Sequence, residues 1–526
     1  MGDPSHRAEK DKTPMYTRIR RSLVGMTALL GLCAAAHALD GQPAIHDPST
    51  IVIHDGRFYT YGTGQGLPIS ISDDGWTWRR AGSLMSALPD GKPGPATLAR
   101  GGNNTWAPDV IKLGDKYYVY YSAPGTQPRS AIGLLVGKTL DPESPDYKWE
   151  DIGPVVWSDG IEDSNAIDPG VLLDPDGRLW LVYGSYFGYI RLVELDPKTG
   201  LRRYPNREPV NVAINSEAAI LIYRDGWYYL LVTHGSCCQS ANSTYNIRMG
   251  RSRKVTGPYL DNMGVDMIEG GGKLFLGSRD RKIGPGHFGL LDLGDGVEKF
   301  SLHWEADLDR GGISVLDIQP LLWRDGWPVA GENVKAGTYV LESVRTGTVL
   351  ELAVQGVPVG GLRPRRMPPG PPGSGSPPPP PRDQMPPQPA IPDQTPADVA
   401  ANWPAGDVDV RLAPAMLQAQ QKWTIAPVNG AGGYPGSPYF KIQIEGTERA
   451  LAATAEGELV AVRNFTGAPE QLWRIDQLTD GTYRIMPKAV PGSDQSLALS
   501  AVGSSMPTLA KFDPSSDRQR WYIKVP

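Results

Sequence analysis

The sequence predicts an all-β chain in two parts, a β-propeller followed by a smaller threefold-repeated β domain. Three observations carry this. A strand–turn–strand unit recurs five times between residues 44 and 290, led by Asp47, Asp109, Asp168, Glu217 and His287. The steps between leads, 62, 59, 49 and 70 residues, match the size of propeller blades. A triplet Gln-x-Trp then recurs at Gln421–Trp423, Gln471–Trp473 and Gln519–Trp521, spaced 50 and 48 residues apart.

Each element of the first repeat is readable. In the units led by residues 47, 168 and 217 an Asp-Gly pair (Asp55-Gly56, Asp176-Gly177, Asp225-Gly226) marks a hairpin turn; Gly114-Asp115 does so in the second unit. Aromatic, β-branched strands follow, such as Phe58-Tyr59-Thr60-Tyr61, Tyr117-Tyr118-Val119-Tyr120-Tyr121, Leu179-Trp180-Leu181-Val182-Tyr183 and Trp227-Tyr228-Tyr229-Leu230. A blade is a four-stranded sheet with its innermost strand along a central channel. Equivalent lead residues therefore converge on one mouth of that channel. Four of the five leads are acidic. Carboxylates gathered in one place repel, so function is the reason to keep them.

At 526 residues, two or three domains are expected. The 14 Trp and 22 Tyr suit both hairpin strands and sugar-stacking surfaces. A net charge of −5 and the absence of a basic stripe with interleaved aromatics give no support for nucleic-acid binding, and no nucleic-acid partner is expected. Residues 1–38 read as an export signal with an N-terminal extension. Arg18, Arg20 and Arg21 precede an apolar run at 23–36 and an Ala36-His37-Ala38 cleavage site. No other stretch is apolar enough to span a membrane. The expectation is a secreted protein, a monomer, with no membrane attachment once the signal is removed. Cleavage leaves Cys237 and Cys238, which either close a strained ring or sit as two buried thiols; buried thiols are the expectation.

Ile45-His46-Asp47-Pro48-Ser49, Trp106-Ala107-Pro108-Asp109, Asn165-Ala166-Ile167-Asp168-Pro169 and Ser216-Glu217-Ala218 together resemble glycoside hydrolase family 43. The runs Ser243-Thr244-Tyr245-Asn246-Ile247-Arg248 and Gly284-Pro285-Gly286-His287, with Cys237-Cys238, are similar to its arabinan endo-1,5-α-L-arabinosidase branch. The resemblance covers roughly residues 40–330 and implies a five-bladed β-propeller, assigned here to 39–334. It implies Asp47 as general base, Glu217 as general acid, and Asp168 as the carboxylate that raises the acid's pKa and orients it. The roles are chemically coherent. An inverting hydrolase needs one carboxylate to activate water and one carboxyl to protonate the leaving oxygen, and a nearby negative charge makes that carboxyl harder to ionise. His46, Trp106, Asp109 and Asn165 are substrate-binding candidates. His46 either binds substrate or has a fixed hydrogen-bonding role. Trp106 either stacks on a furanose or packs the wall, and Asp109 either contacts substrate or caps its strand. The resemblance also implies a metal, Ca²⁺, at His287. Calcium prefers oxygen donors, so water would fill most of its shell.

The Gln-x-Trp triplets resemble the ricin B-like lectin fold, a β-trefoil, which assigns residues 335–526. From the leading aromatic to the Trp takes 84 residues in the first copy (Tyr339 to Trp423) but 33 and 38 in the others. The Pro-rich run is therefore an insertion inside the first repeat, at about 357–404, and is expected to be disordered. The resemblance makes Trp423, Trp473 and Trp521 core residues. The sugar-binding strands align as Leu350-Glu351-Leu352, Leu451-Ala452-Ala453 and Leu497-Ala498-Leu499, so only Glu351 supplies an acid.

The expected activity is secreted, inverting cleavage of α-1,5-L-arabinofuranosyl linkages, with arabinan or another pectic side-chain polysaccharide as partner. The alternatives are an exo-acting α-L-arabinofuranosidase or β-xylosidase on the same fold and, from another class, a non-catalytic polysaccharide-binding protein. The presence of all three carboxylates argues against the last.

Overall fold

The computed structural model describes residues 39–161, 164–354 and 396–526. The expected signal segment, 1–38, lies outside them. Among the described residues no helix is long and apolar enough to cross a membrane.

Five antiparallel meanders follow one another along the chain. Their innermost strands are Val52–His54, Trp106–Leu113, Gly170–Leu173, Glu217–Arg224 and Lys282–Asp292. In blades two to four the strand after the turn is apolar on both sides, because it is sandwiched between neighbouring blades; in blade five, Glu298–Asp307 alternates buried polar and apolar residues. Side chains alternate across a strand. Tyr117, Val119 and Tyr121 accordingly join the cluster shared by blades one and two, while Tyr118 and Tyr120 join the one shared by blades two and three. Every pair of adjacent blades has such a cluster, and the one between blades five and one closes the ring. The N-terminal segment completes the closure. Asp40–Gly41 adds a parallel strand to the outer edge of blade one, while Ala44 bridges Val315 of blade five.

The repeat has a finer register than the sequence suggested. One residue per blade adopts a left-handed backbone where its chain enters the channel: Asp47, Ala107, Asp168, Ala218 and His287, with φ between 35° and 56°. Each N–H there is held by a side chain of the preceding blade. Asp47 donates to His303 Nδ1 (2.9 Å), Ala107 to Thr63 Oγ1 (2.8 Å) and Asp168 to Ser122 Oγ (2.9 Å). Ala218 donates to Asp168 Oδ2 (3.2 Å) and His287 to Thr233 Oγ1 (3.3 Å). A non-glycine residue in this region costs on the order of 1–3 kcal/mol, so the ring of cross-blade bonds is what holds it there. The expected equivalence of the five leads is corrected by this register. Asp109 lies two residues past its blade's turning point and Glu217 one residue before it.

The second domain is built from Gly337–Ser343 onward. Its threefold symmetry is visible in three indole bonds: Trp423 to Leu350 O (2.8 Å), Trp473 to Leu451 O (3.0 Å) and Trp521 to Leu499 O (2.9 Å), each Trp fully buried. Gln421, Gln471 and Gln519 end short 3₁₀ turns and accept the N–H of Met416, Thr466 and Asp513. The third-repeat strand is thus set by Leu499, two residues beyond the expected Leu497. Glu351 is not a free sugar ligand either. It is buried, with Arg411 Nε and Gln421 Nε2 each 2.7 Å from its carboxylate. Most of the expected disordered insertion lies outside the described residues, but its end is ordered. Pro396–Ala400 is helical, and Val399 and Trp403 join the trefoil core. Those two apolar side chains can be buried, so the composition that favours disorder stops before them.

The two domains are joined by buried polar contacts. A hairpin, Gly433–Tyr434 with Ser437–Pro438, meets blades one and five: Gly436 N–H bonds Gly75 O (3.2 Å) and Asn333 Nδ2 bonds Gly436 O (2.8 Å). Gly436 has φ 80° and its Cα faces Ile318 O so closely that a Cβ would lie 2.4 Å from it, so only glycine fits. Lys299 of blade five is 1% exposed and reaches Pro435 O; burial pushes its pKa down to about 8. Asp476, wholly buried, pairs with Arg474 (2.7 Å) and Arg484 (2.8 Å).

Candidate active site

The channel mouth brings Asp47, Asp168, Glu217, His46 and His287 together, as expected, and adds His303, Glu305, Tyr245, Ser185 and Thr63. Their positions follow from the blade register. Asp47, Asp168 and His287 sit at the turning points of blades one, three and five, and Glu217 opens the inner strand of blade four. His303 and Glu305 come from the second strand of blade five, Glu298–Asp307, on the face opposite Phe300, Leu302 and Trp304, which pack toward blade four.

Asp47 is surrounded by imidazoles. His46 Nδ1 lies 2.7 Å from its Oδ2, and His287 Nδ1 lies 3.0 Å from its Oδ1. Thr63 Oγ1 donates to Oδ2 at 2.6 Å. Burial would raise the Asp47 pKa, but His287 and His46 overcome this and hold it well below the usual carboxylate range. His303 Nδ1 accepts the Asp47 N–H, so its proton resides on Nε2, 3.4 Å from Glu305 Oε1. His46 Nε2 lies 3.3 Å from the same oxygen. Burial opposes charge on His46, yet Asp47 and Glu305 raise its pKa to about 10. In turn His303 and His46 outweigh burial and lower Glu305 to about 2.

Glu217 has the opposite environment. Its Oε2 accepts Ser185 Oγ at 2.8 Å and its Oε1 accepts the Tyr245 hydroxyl. Burial raises its pKa despite those donors, and the Asp47 charge adds to the rise. Asp168 is also pushed upward, first by burial and then by Glu217 and Asp47. One carboxylate is thus kept ionised while a neighbouring pair is disposed to hold a proton. Paired titratable groups driven apart in this way mark acid and base roles.

Two of the substrate-binding candidates, Asp109 and Asn165, are buried. Asp109 is 4% exposed, and both its oxygens are taken by main-chain donors: Thr50 N–H of blade one at 3.1 Å and Val171 N–H of blade three at 2.9 Å. It stitches three inner strands together, the capping alternative extended across blades. Asn165 is 0% exposed, and its Oδ1 accepts Ser130 Oγ at 2.7 Å. Its Nδ2 is buried without a hydrogen-bond partner. Trp106 and His46 remain partly exposed at the mouth. The expectation of two buried thiols fails. Cys237 and Cys238 are joined as a disulfide, with Cys238 on the surface. The Cys238 N–H donates to Glu305 Oε2 (3.0 Å), which ties this loop to the histidine cluster.

For a metal, the informative atom is His287 Nε2. It is buried without a hydrogen-bond partner, while Nδ1 faces Asp47. Carboxylate–imidazole pairing of this kind leaves the second ring nitrogen as a ligand. Beside it is a cavity of about 20 Å³, bordered by Thr50, Asp109, Asp168 and His287. His287 Nε2 is therefore a single imidazole nitrogen available to a cation.

Residues 42–328 match the family model for glycosyl hydrolases family 43, and residues 419–510 match a ricin-type β-trefoil lectin domain-like model. The extracellular exo-α-(1→5)-L-arabinofuranosidase ArbA of Cellvibrio japonicus is 33% identical over 59% of this chain and 92% of its own length. The extracellular endo-α-(1→5)-L-arabinanase 1 of Bacillus subtilis is 34% identical over 54% of this chain and 87% of its own. Among solved structures, an exo-1,5-α-L-arabinanase from a bovine ruminal metagenomic library has a TM-score of 0.52 at 36% identity, covering 56% of this chain and 99% of that one. The Cellvibrio cellulosa α-L-arabinanase complexed with arabinohexaose has a TM-score of 0.51 at 32% identity, covering 55% and 96%.

Proposed function

Because the chain belongs to glycosyl hydrolases family 43, we propose that it cleaves the α-1,5-L-arabinofuranosyl linkages of arabinan with inversion. Asp47 acts as general base, Glu217 as general acid, and Asp168 keeps the acid protonated and oriented. The observation that carries this reading is the opposed disposition of the two carboxyl groups. Imidazoles hold Asp47 ionised, whereas burial favours the protonated form of Glu217.

Glu217 delivers its proton to the leaving oxygen as the glycosidic bond breaks and the sugar becomes oxocarbenium-like. Asp47 takes a proton from water as that water attacks the opposite face of the ring. Tyr245 and Ser185 fix the Glu217 carboxyl, and the Asp168 bond to Ala218 N–H fixes the turn that carries it. Trp106 and His46 line the substrate approach. Arabinan as substrate is supported by the names of the relatives and by the neighbour that holds arabinohexaose.

His287 Nε2 would hold the cation, Ca²⁺ by family resemblance, with Asp47 orienting the ring through Nδ1. Such an ion would supply fixed positive charge at the site. Export to the cell exterior is supported by the signal-like N-terminus and by two relatives named as extracellular. The protein is proposed to act as a monomer, with the trefoil domain tethering it to polysaccharide.

The test is reducing-sugar release from linear arabinan by the wild type and by Glu217→Gln, with product sizing. Gln keeps the shape but donates no acidic proton, so a loss of about 10²–10⁴-fold is expected. Unchanged activity in the variant would sink the acid assignment. Mixed oligosaccharides indicate internal cleavage and arabinose alone indicates action from a chain end. Release from xylan but not arabinan would move the assignment to a xylosidase.

A further inference from the structure

We infer that a cleft at the foot of blades three and four binds an acidic oligosaccharide through its uronate carboxylates. The cleft has a volume of about 540 Å³, within the roughly 300–1,000 Å³ of small-molecule sites. It is distinct from the channel mouth. Its floor includes Arg178 and Tyr223, at the hairpin turns that end the strands begun near Asp168 and Glu217. The strand Glu217–Arg224 alone separates the two places by roughly 23 Å at about 3.3 Å per residue.

The charges around the cleft do not cancel. Arg178 is neutralised by Asp174 (2.9 Å) and Asp176 (3.0 Å), and Glu194 is taken by Arg203 (3.0 Å). Among the described residues no carboxylate lies within ion-pair distance of Arg202, Arg207, Arg253 or Lys254, and Glu208 is the only lining acid left to oppose them. The protein as a whole is acidic, so this concentration of unpaired cations is local. Two of them are held in place without being neutralised. The Arg202 guanidinium donates to Arg207 O, and Arg253 donates to Gly226 O (3.1 Å) while lying over Trp227 (3.8 Å). A guanidinium fixed through one edge keeps its other donors for a carboxylate.

The same rim exposes aromatic rings, Tyr204 at 45% and Tyr223 at 36%. Simple anions have no use for them, but a sugar presents an apolar face to stack. Carboxylate and apolar ring face together define a uronate. The choice of a polysaccharide ligand rests on the arabinan reading, since pectic side chains are attached to acidic backbones.

The probe is polygalacturonate. The full chain is run in native gels containing polygalacturonate, heparin or linear arabinan, beside Arg202→Ala/Arg207→Ala and Arg253→Glu/Lys254→Glu. Expected are retardation of the wild type by polygalacturonate at physiological salt and a loss of about tenfold or more in apparent affinity in both variants. Hydrolysis of short soluble arabino-oligosaccharides should stay within about twofold of the wild type, because the cleft is remote from the channel. No retardation by polygalacturonate overturns the proposal, as does unchanged retardation of both variants. Equal retardation by heparin also overturns it, since the cleft would then be an unselective cationic patch. Polygalacturonate binding without arabinan hydrolysis would sink the arabinan reading and leave the cleft standing; hydrolysis without binding does the reverse.

Discussion

Replacing Asp109 with alanine strips the acceptor from two buried main-chain donors at once, the N–H groups of Thr50 and Val171. Each buried donor left unpaired costs about 1–3 kcal/mol, so the propeller should lose roughly 2–6 kcal/mol. Two effects pull toward the lower end. Burial already raises the Asp109 pKa, so removing the carboxyl relieves some desolvation. Truncation also enlarges the adjoining cavity of about 20 Å³, where a water could re-bond one donor. For a body of this size about 2 °C is lost per kcal/mol, so the melting temperature should fall by ~4–12 °C. The assay is thermal unfolding by circular dichroism, paired with kinetics on arabino-oligosaccharides well below the transition. Asp109→Asn, which keeps one acceptor, should fall between the wild type and Asp109→Ala. A melting temperature within 1 °C of the wild type, together with a KM raised about tenfold (~1.4 kcal/mol), would refute the reasoning and return Asp109 to the substrate.

The pH profile of kcat/KM should keep its activity far into acid, because Asp47 stays ionised there, and lose it on the alkaline side as the Glu217–Asp168 pair gives up its proton. Asp168→Asn removes a neighbouring charge and should move the alkaline limb down by roughly one pH unit; an upward move would contradict the assignment. Asp476→Ala leaves Arg474 and Arg484 without their buried partner and should cost about 3–5 kcal/mol, seen by calorimetry as an earlier transition of the trefoil. The neighbouring cations outweigh burial and lower the Asp476 pKa, so its contribution is present above the unfolded value near 3.8 and should fade as the pH drops below it. Calcium added to chelator-treated protein should raise the melting temperature of the wild type but not of His287→Ala; an equal rise in both would remove His287 as the ligand.

Much of this molecule was determined by local sequence. Asp-Gly turns and runs such as Tyr117–Tyr121 specify hairpins whose faces are both buried, and five of them at blade-sized intervals permit little but a propeller. The Gln-x-Trp spacing likewise determined the trefoil, because each indole must reach a carbonyl of its own repeat's strand. Asp47, Asp168, Glu217 and His287 could be named from short motifs because each opens a blade. Tertiary structure alone decided what surrounds them. His303 and Glu305 carry a faint signal, polar residues alternating with Leu302 and Trp304 in a strand otherwise suited to a core. The bond of Asp47 to His303 spans 256 residues and exists only because the ring closes. Register was decided in the same way. A bulge moves a side chain by one or two positions without changing the hydrophobic pattern, so Asp109 looked like a fourth channel carboxylate until its oxygens were found on the N–H groups of two other blades. Burial and charge balance belong to the assembled ring as well. The same carboxyl group is held ionised at Asp47, by His287 of blade five as well as by its sequence neighbour His46, and pushed toward neutrality at Glu217 by burial in the assembled ring.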